Sequence, residues 1–187
     1  VFGQILRRLR LGRLRPESHH LAVLGQVERA SSDAGTLWAS TTVGRVFISR
    51  NANADNAMSV TFTRLDSLSS SAPNRFVSGI AVDPANANHA WISYSGYNTT
   101  AGSTAPGHVF EVTYNPGAGT ATWTNRSYDL ADLPITDVAL DDLTGDVYAS
   151  SDFGVLRLAA GASSWQVAGE GMPIVETPGL TIVPGAR

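Results

Sequence analysis

The chain has 187 residues, 43% of them hydrophobic and 16% charged, the balance of a globular protein with a packed core rather than of a disordered segment. It has no cysteine, which excludes disulfide frameworks, thiolate metal sites and thiol nucleophiles. All thirteen basic residues are arginine; five fall before residue 16, and residues 21 to 187 hold eight arginines against fifteen acids, a charge that argues against nucleic-acid binding by the folded part.

Residues 1–21 stand apart. From Val1 to Pro16 leucine alternates with arginine, the pattern of a basic linker or non-native segment, with an amphipathic membrane-surface helix as the alternative. No apolar run reaches the roughly 18 residues that span a bilayer, so no membrane span is expected. The chain starts at Val1 rather than methionine, and the native N-terminus is expected to lie upstream.

From residue 22 onward, short apolar runs alternate with Gly, Asn, Asp and Pro turns every eight to twelve residues, the pattern of antiparallel strands. A first group runs Gln26 to Ala30, Thr36 to Thr41, Arg45 to Arg50 and Val60 to Leu65. A second holds Gly79 to Pro84, Asn88 to Ser93, His108 to Tyr114 and Thr120 to Asn125, with an insertion from Gly96 to Gly107. A third holds Ile135 to Leu140, Asp146 to Ser151, Val155 to Ala159 and Ser163 to Ala168, and Gly179 to Pro184 repeats the opening strand once more. The second strand of each group carries an aromatic residue, a small or aliphatic one and a serine: Trp38-Ala39-Ser40, Trp91-Ile92-Ser93 and Tyr148-Ala149-Ser150.

A repeat of roughly 40 to 60 residues with about four strands marks propeller blades, each too small to bury both its faces alone. The fold class is therefore all-β: a partial β-propeller of about three four-stranded antiparallel blades, spanning 22–75, 76–134 and 135–173, plus the first strand of a fourth within 174–187. Flanking blades or self-association are expected to close the ring. The tryptophans Trp38, Trp91, Trp123 and Trp165 are expected in the core between blades.

The stretches Val77 to Asn86, Tyr148 to Arg157 and Gly171-Met172-Pro173 resemble the sortilin-like and bacterial-neuraminidase-repeat propellers, a superfamily that includes sialidases and xyloglucanase-type glycoside hydrolases. That superfamily marks blades with an Asp-box, Ser-x-Asp-x-Gly-x-x-Trp, between the third and fourth strands. Ser31 to Trp38 fits the letters but falls between the first and second strands, while Ala160 to Trp165 stands at the expected place without the aspartate. The resemblance implies a bacterial, extracellular or cell-surface protein that binds a glycan or protein ligand through its blade loops, with a glycoside hydrolase fragment as the alternative.

Asp152, in Ser151-Asp152-Phe153-Gly154, is the catalytic candidate, because the resemblance places it near an acidic catalytic residue of the xyloglucanase-type enzymes. Glycoside hydrolysis needs two carboxylates about 5–10 Å apart, so a role as a turn cap is preferred. Tyr94, Tyr97, Asn98 and His108 flank the insertion and offer the aromatic faces and polar tips that ligand recognition uses. Asp137, Asp141, Asp142 and Asp146 surround one hairpin; turn chemistry is preferred there over calcium binding, and neither a metal nor a cofactor is expected.

Overall fold

The computed structural model describes residues 23–97 and 107–183. The basic segment 1–21, Asn98 and most of the insertion lie outside them.

Among the described residues, twelve strands form three antiparallel sheets, each a simple meander of four neighbours in chain order. The first comprises β1 (Leu24–Arg29), β2 (Leu37–Thr41), β3 (Val46–Ser49) and β4 (Thr63–Arg64). The second comprises β5 (Val77–Val82), β6 (His89–Tyr94), β7 (Val109–Asn115) and β8 (Thr120–Asn125). The third comprises β9 (Ile135–Leu140), β10 (Val147–Ser151), β11 (Gly154–Leu158) and β12 (Gln166–Val167). The first strands β1, β5 and β9 lie against one another, so the sheets stand side by side as blades around a shared inner edge.

The core lies between blades. Trp38, Ile48 and Leu65 of the first blade pack against Val77, Ile92, Phe110 and Trp123 of the second, and Val109 and Leu130 pack against Ile135, Val147, Leu158 and Trp165 of the third. A single four-stranded sheet could not bury these side chains; stacking does it. Tryptophan contributes twice, through its ring and its N–H. Trp38 Nε1 donates to Ala87 O at 2.9 Å, Trp123 Nε1 to Leu65 O at 3.3 Å and Trp165 Nε1 to Arg126 O at 2.9 Å, each across a blade boundary.

The repeated serine has a structural cause. Each first strand carries a one-residue register shift at the same place, between Leu24 and Val27, Val77 and Gly79, and Ile135 and Asp137. A bulge leaves backbone polar groups without ladder partners. The fully buried Ser40, Ser93 and Ser150 sit opposite, where Ser40 Oγ accepts from Gln26 N, Ser93 Oγ pairs with Ser78 Oγ at 3.0 Å and Ser150 Oγ pairs with Thr136 Oγ1 at 2.8 Å. The bulged residues also tie each blade to the next: Gln26 Nε2 donates to Ser78 O, Ser78 Oγ to Ile135 O and Thr136 Oγ1 to Thr177 O.

That last bond locates the segment expected to start a fourth blade. Among the described residues Ala168 to Val183 form no strand. Thr177 nevertheless occupies the place relative to Thr136 that Ile135 occupies relative to Ser78, and Leu180 N donates to Asp137 Oδ2 at 2.9 Å. The chain follows the path of a first strand, but among the described residues no second strand pairs with it to make a ladder.

The acidic hairpin is turn and ion-pair chemistry. Asp141 Oδ1 accepts from Leu143 N, Asp137 accepts from Val138 N and Leu180 N, and Asp146 pairs with Arg157 at 2.6 Å while accepting from Ala160 N. No group of three metal-ligating side chains occurs among the described residues. Burial pushes the Asp146 carboxyl up, but the Ala160 amide and the Arg157 guanidinium outweigh it and hold the group below the usual carboxylate range. A depressed folded pKa contributes stability above the unfolded value of about 3.9, lost as pH falls through the folded value. Asp146→Asn is therefore expected to be less stable at pH 7 and to lose less on acidification below about pH 4, as measured by urea unfolding across pH 2–7.

Candidate functional site

In a meander of four strands, the connections from second to third strand and from each fourth strand to the next first strand emerge on one face. Here that face carries Thr42 to Arg45, Ser95 to Tyr97, Gly107-His108 and Asp152-Phe153, together with Leu65 to Phe76 and Arg126 to Pro134.

Arg75, just before β5, organises its centre. One guanidinium nitrogen donates to Gly96 O at 3.1 Å and the other to Gly107 O, so a single side chain holds the two described ends of the long β6–β7 connection. Both glycines have positive φ, 84° and 85°, which lets the chain leave and re-enter the sheet sharply. Burial lowers the Arg75 pKa from its ordinary value, opposed by the charges of Asp132 and Tyr94, and its Nε is buried without a hydrogen-bond partner among the described residues.

His108 lies directly beneath. Its side chain is fully buried, with Nδ1 donating to Tyr94 O at 3.1 Å and Nε2 3.0 Å from Asp132 Oδ1, while its backbone N donates to Ser127 Oγ. Tyr94 is also fully buried, its ring edge-on to Phe110 at 5.7 Å. Burial, reinforced by Asp66, pushes its phenol well above the ordinary range. These two side chains therefore support the loop bases from inside, because alternation on β6 turns Tyr94 toward the core between blades. Tyr97 projects to solvent, 56% exposed. Asn98 lies outside the described residues.

Asp152 is exposed on the two-residue turn between β10 and β11. The turn is capped by its neighbour: Ser151 Oγ accepts from Phe153 N at 3.1 Å and donates to Gly154 O at 3.1 Å. The expected cap thus belongs to Ser151, whose hydroxyl can both donate and accept, whereas a carboxylate only accepts.

A hollow of about 510 Å³, lined by Arg64, Asp66, Leu68 and Asn74 among others, opens on the same face in the β4–β5 connection. Arg64 and Asp66 pair there at 2.5 Å, and Asp66 Oδ1 also accepts from Val46 N. Sequence reasoning missed Arg75, Asp66 and Asp132, since an isolated charge in a loop carries no periodic or motif signal.

The repeated blade geometry can be set against known folds. An ancestral GH74 enzyme superposes on 80% of this chain with a TM-score of 0.50 and 19% sequence identity. The chain is a partial β-propeller of three blades. It spans 19% of that enzyme's length. U3-55K is similar over 80% of this chain and 39% of its own, at TM-score 0.47 and 8% identity. YCF48 bound to D1 peptide is similar over 82% of this chain and 40% of its own, at TM-score 0.40 and 11% identity. No protein-family model and no curated protein matches the sequence. At 19% identity the likeness to the GH74 enzyme establishes the propeller fold alone, and activity must be argued from this chain's side chains.

Proposed function

We propose that the chain is the noncatalytic binding part of a propeller of the sortilin-like or bacterial-neuraminidase-repeat type, from a secreted or cell-surface bacterial protein, which takes a protein or glycan ligand on its loop face. The observation that carries this reading is Arg75 bridging the carbonyls of Gly96 and Gly107 beside the Arg64–Asp66 hollow. A loop fixed at both ends on a rigid sheet can present side chains at low entropic cost. A second reading, a glycoside hydrolase fragment using Asp152 as one of two carboxylates, is favoured by the exposure of that side chain on the same face.

One experiment separates the two. Glycan and peptide arrays are probed with the full chain, with Tyr97→Ala and with Asp152→Ala, and every glycan bound is assayed for hydrolysis. The binding reading expects Tyr97→Ala to weaken binding about tenfold, roughly 1.4 kcal/mol, with an unchanged melting temperature, and Asp152→Ala to bind normally. Hydrolysis by the wild type that disappears in Asp152→Ala would replace it with the second reading; retention of full affinity by Tyr97→Ala would remove Tyr97 from the site.

A further inference from the structure

Of the four tryptophans, three have the indole N–H committed across a blade boundary. Trp91 is the exception: its Nε1 has no acceptor among the described residues, and it is not sealed from solvent. By register Trp91 stands where Trp38 stands in the first blade, each opposite the same position of its first strand. Trp38 finds its acceptor, Ala87, in the β5–β6 turn of the next blade, where seven residues separate the paired Val82 and Ala90. In the third blade six residues separate the paired Leu140 and Val147. The turn that would meet Trp91 is one residue shorter, and where the acceptor would lie there is a cavity of about 240 Å³.

The cavity has a built lining. Trp91 and Glu111 are cross-strand neighbours on β6 and β7. Glu111 Oε2 accepts from Arg126 Nε at 2.8 Å and from Arg126 Nη2 at 2.6 Å, and its Oε1 lies 2.9 Å from His89 Nε2. Arg126 Nη1 donates to Tyr128 Oη at 2.7 Å, which leaves two of its five N–H groups without a protein acceptor among the described residues. Tyr128 is held at φ 44°, a strained left-handed conformation for an aromatic residue of the kind that clusters at functional sites. The opposite wall, including Gly145, Ala160, Gly161 and Ala162, is low because its side chains are small or absent, and Ser163 adds a hydroxyl at the rim.

The geometry points to a saccharide subsite between the second and third blades, sized for one neutral pyranose ring, separate from the Arg64–Asp66 hollow and bordered by Arg126 and Tyr128 at the edge of the loop face. Glu111 and Arg126 neutralise each other, so nothing selects a charged ligand. The Trp91 N–H, the Tyr128 O–H and the spare Arg126 N–H groups donate, while Ser163 and Glu111 accept, the alternation that ring hydroxyls require. The indole face suits the apolar C–H face of a pyranose. The volume falls under the roughly 300 Å³ at which drug-sized pockets begin, which limits occupancy to a single ring with affinity in about the millimolar range. The subsite rests on the reading of the chain as a binding module and narrows its ligand to a glycan.

The test follows the four indole N–H cross-peaks of the ¹⁵N-labelled full chain, with Trp91 assigned by its disappearance in Trp91→Phe, a variant that keeps an aromatic ring in place. In D₂O the Trp91 signal is expected to vanish first while the other three persist. On titration with the methyl β-glycosides of glucose, galactose and xylose to about 50 mM, well above a millimolar dissociation constant, it is expected to shift with at least one, and Arg126→Met to reduce that affinity at least tenfold. A Trp91 signal as protected as the others, or one that moves with none of the three glycosides, overturns the subsite. If a ligand found on the arrays perturbs Tyr97 but leaves Trp91 unmoved, the binding module stands and the interblade subsite falls.

Discussion

Trp38→Ala is expected to lower the unfolding free energy by about 3–5 kcal/mol, the cost of removing a large buried aromatic from a close-packed core. Trp38 is fully buried between the first and second blades, and no backbone shift within one sheet can refill the space, because its neighbours belong to two. Trp38→Phe is the milder change. It keeps a six-membered ring but removes the pyrrole part of the indole together with its 2.9 Å bond to Ala87 O, so an intermediate loss of about 2–3 kcal/mol is expected. Both values are large beside the roughly 5–15 kcal/mol typical of a folded domain. Urea unfolding followed by far-ultraviolet circular dichroism, which does not depend on the missing fluorophore, measures them. A loss under 1 kcal/mol for Trp38→Ala would mean that the blades do not depend on their shared core.

Gly79→Ala is expected to cost about 3 kcal/mol or more, although it adds one methyl group to a strand. A Cβ at Gly79 would lie 2.3 Å from Asp137 Oδ1, 2.8 Å from Ser93 Oγ and 2.8 Å from Val138 N. The first contact cannot swing away, since Asp137 is held by Val138 N and Leu180 N, and the last is backbone of the next blade. Relief therefore requires β5 and β9 to separate, which opens the inner edge of the stack; overpacking of this kind commonly costs about 1–3 kcal/mol and sometimes more. Gly119→Ala is the control: at φ 67° with nothing within 4 Å of the new Cβ, it is expected to cost only about 1 kcal/mol of backbone strain. Equal melting temperatures for Gly79→Ala and the wild type would show that the inner strands do not pack as described.

The strands were legible because each blade repeats its grammar. Ile135–Leu140 and Thr120–Asn125 coincide with their expected limits. By contrast, the outer strands β4 and β12 span two residues each, whereas β8, the outer strand of the second blade, keeps all six. The site was less legible. Tyr94 and His108 have the right chemistry for a ligand surface, yet burial decides what they touch, and both face inward. Arg75, which ties the loop ends together, has no signature, because its partners are main-chain carbonyls 21 and 32 residues away.

By itself the sequence determined the class of fold, the repeat, the place of the turns and the absence of thiol chemistry, all of which depend on residue type and on spacing along the chain. Only the tertiary structure decided why Ser40, Ser93 and Ser150 recur, how three tryptophans bolt neighbouring blades together and why the fourth is left over a cavity. Those outcomes depend on which residues meet across blades, and a turn shorter by one residue is enough to change them without altering any local pattern.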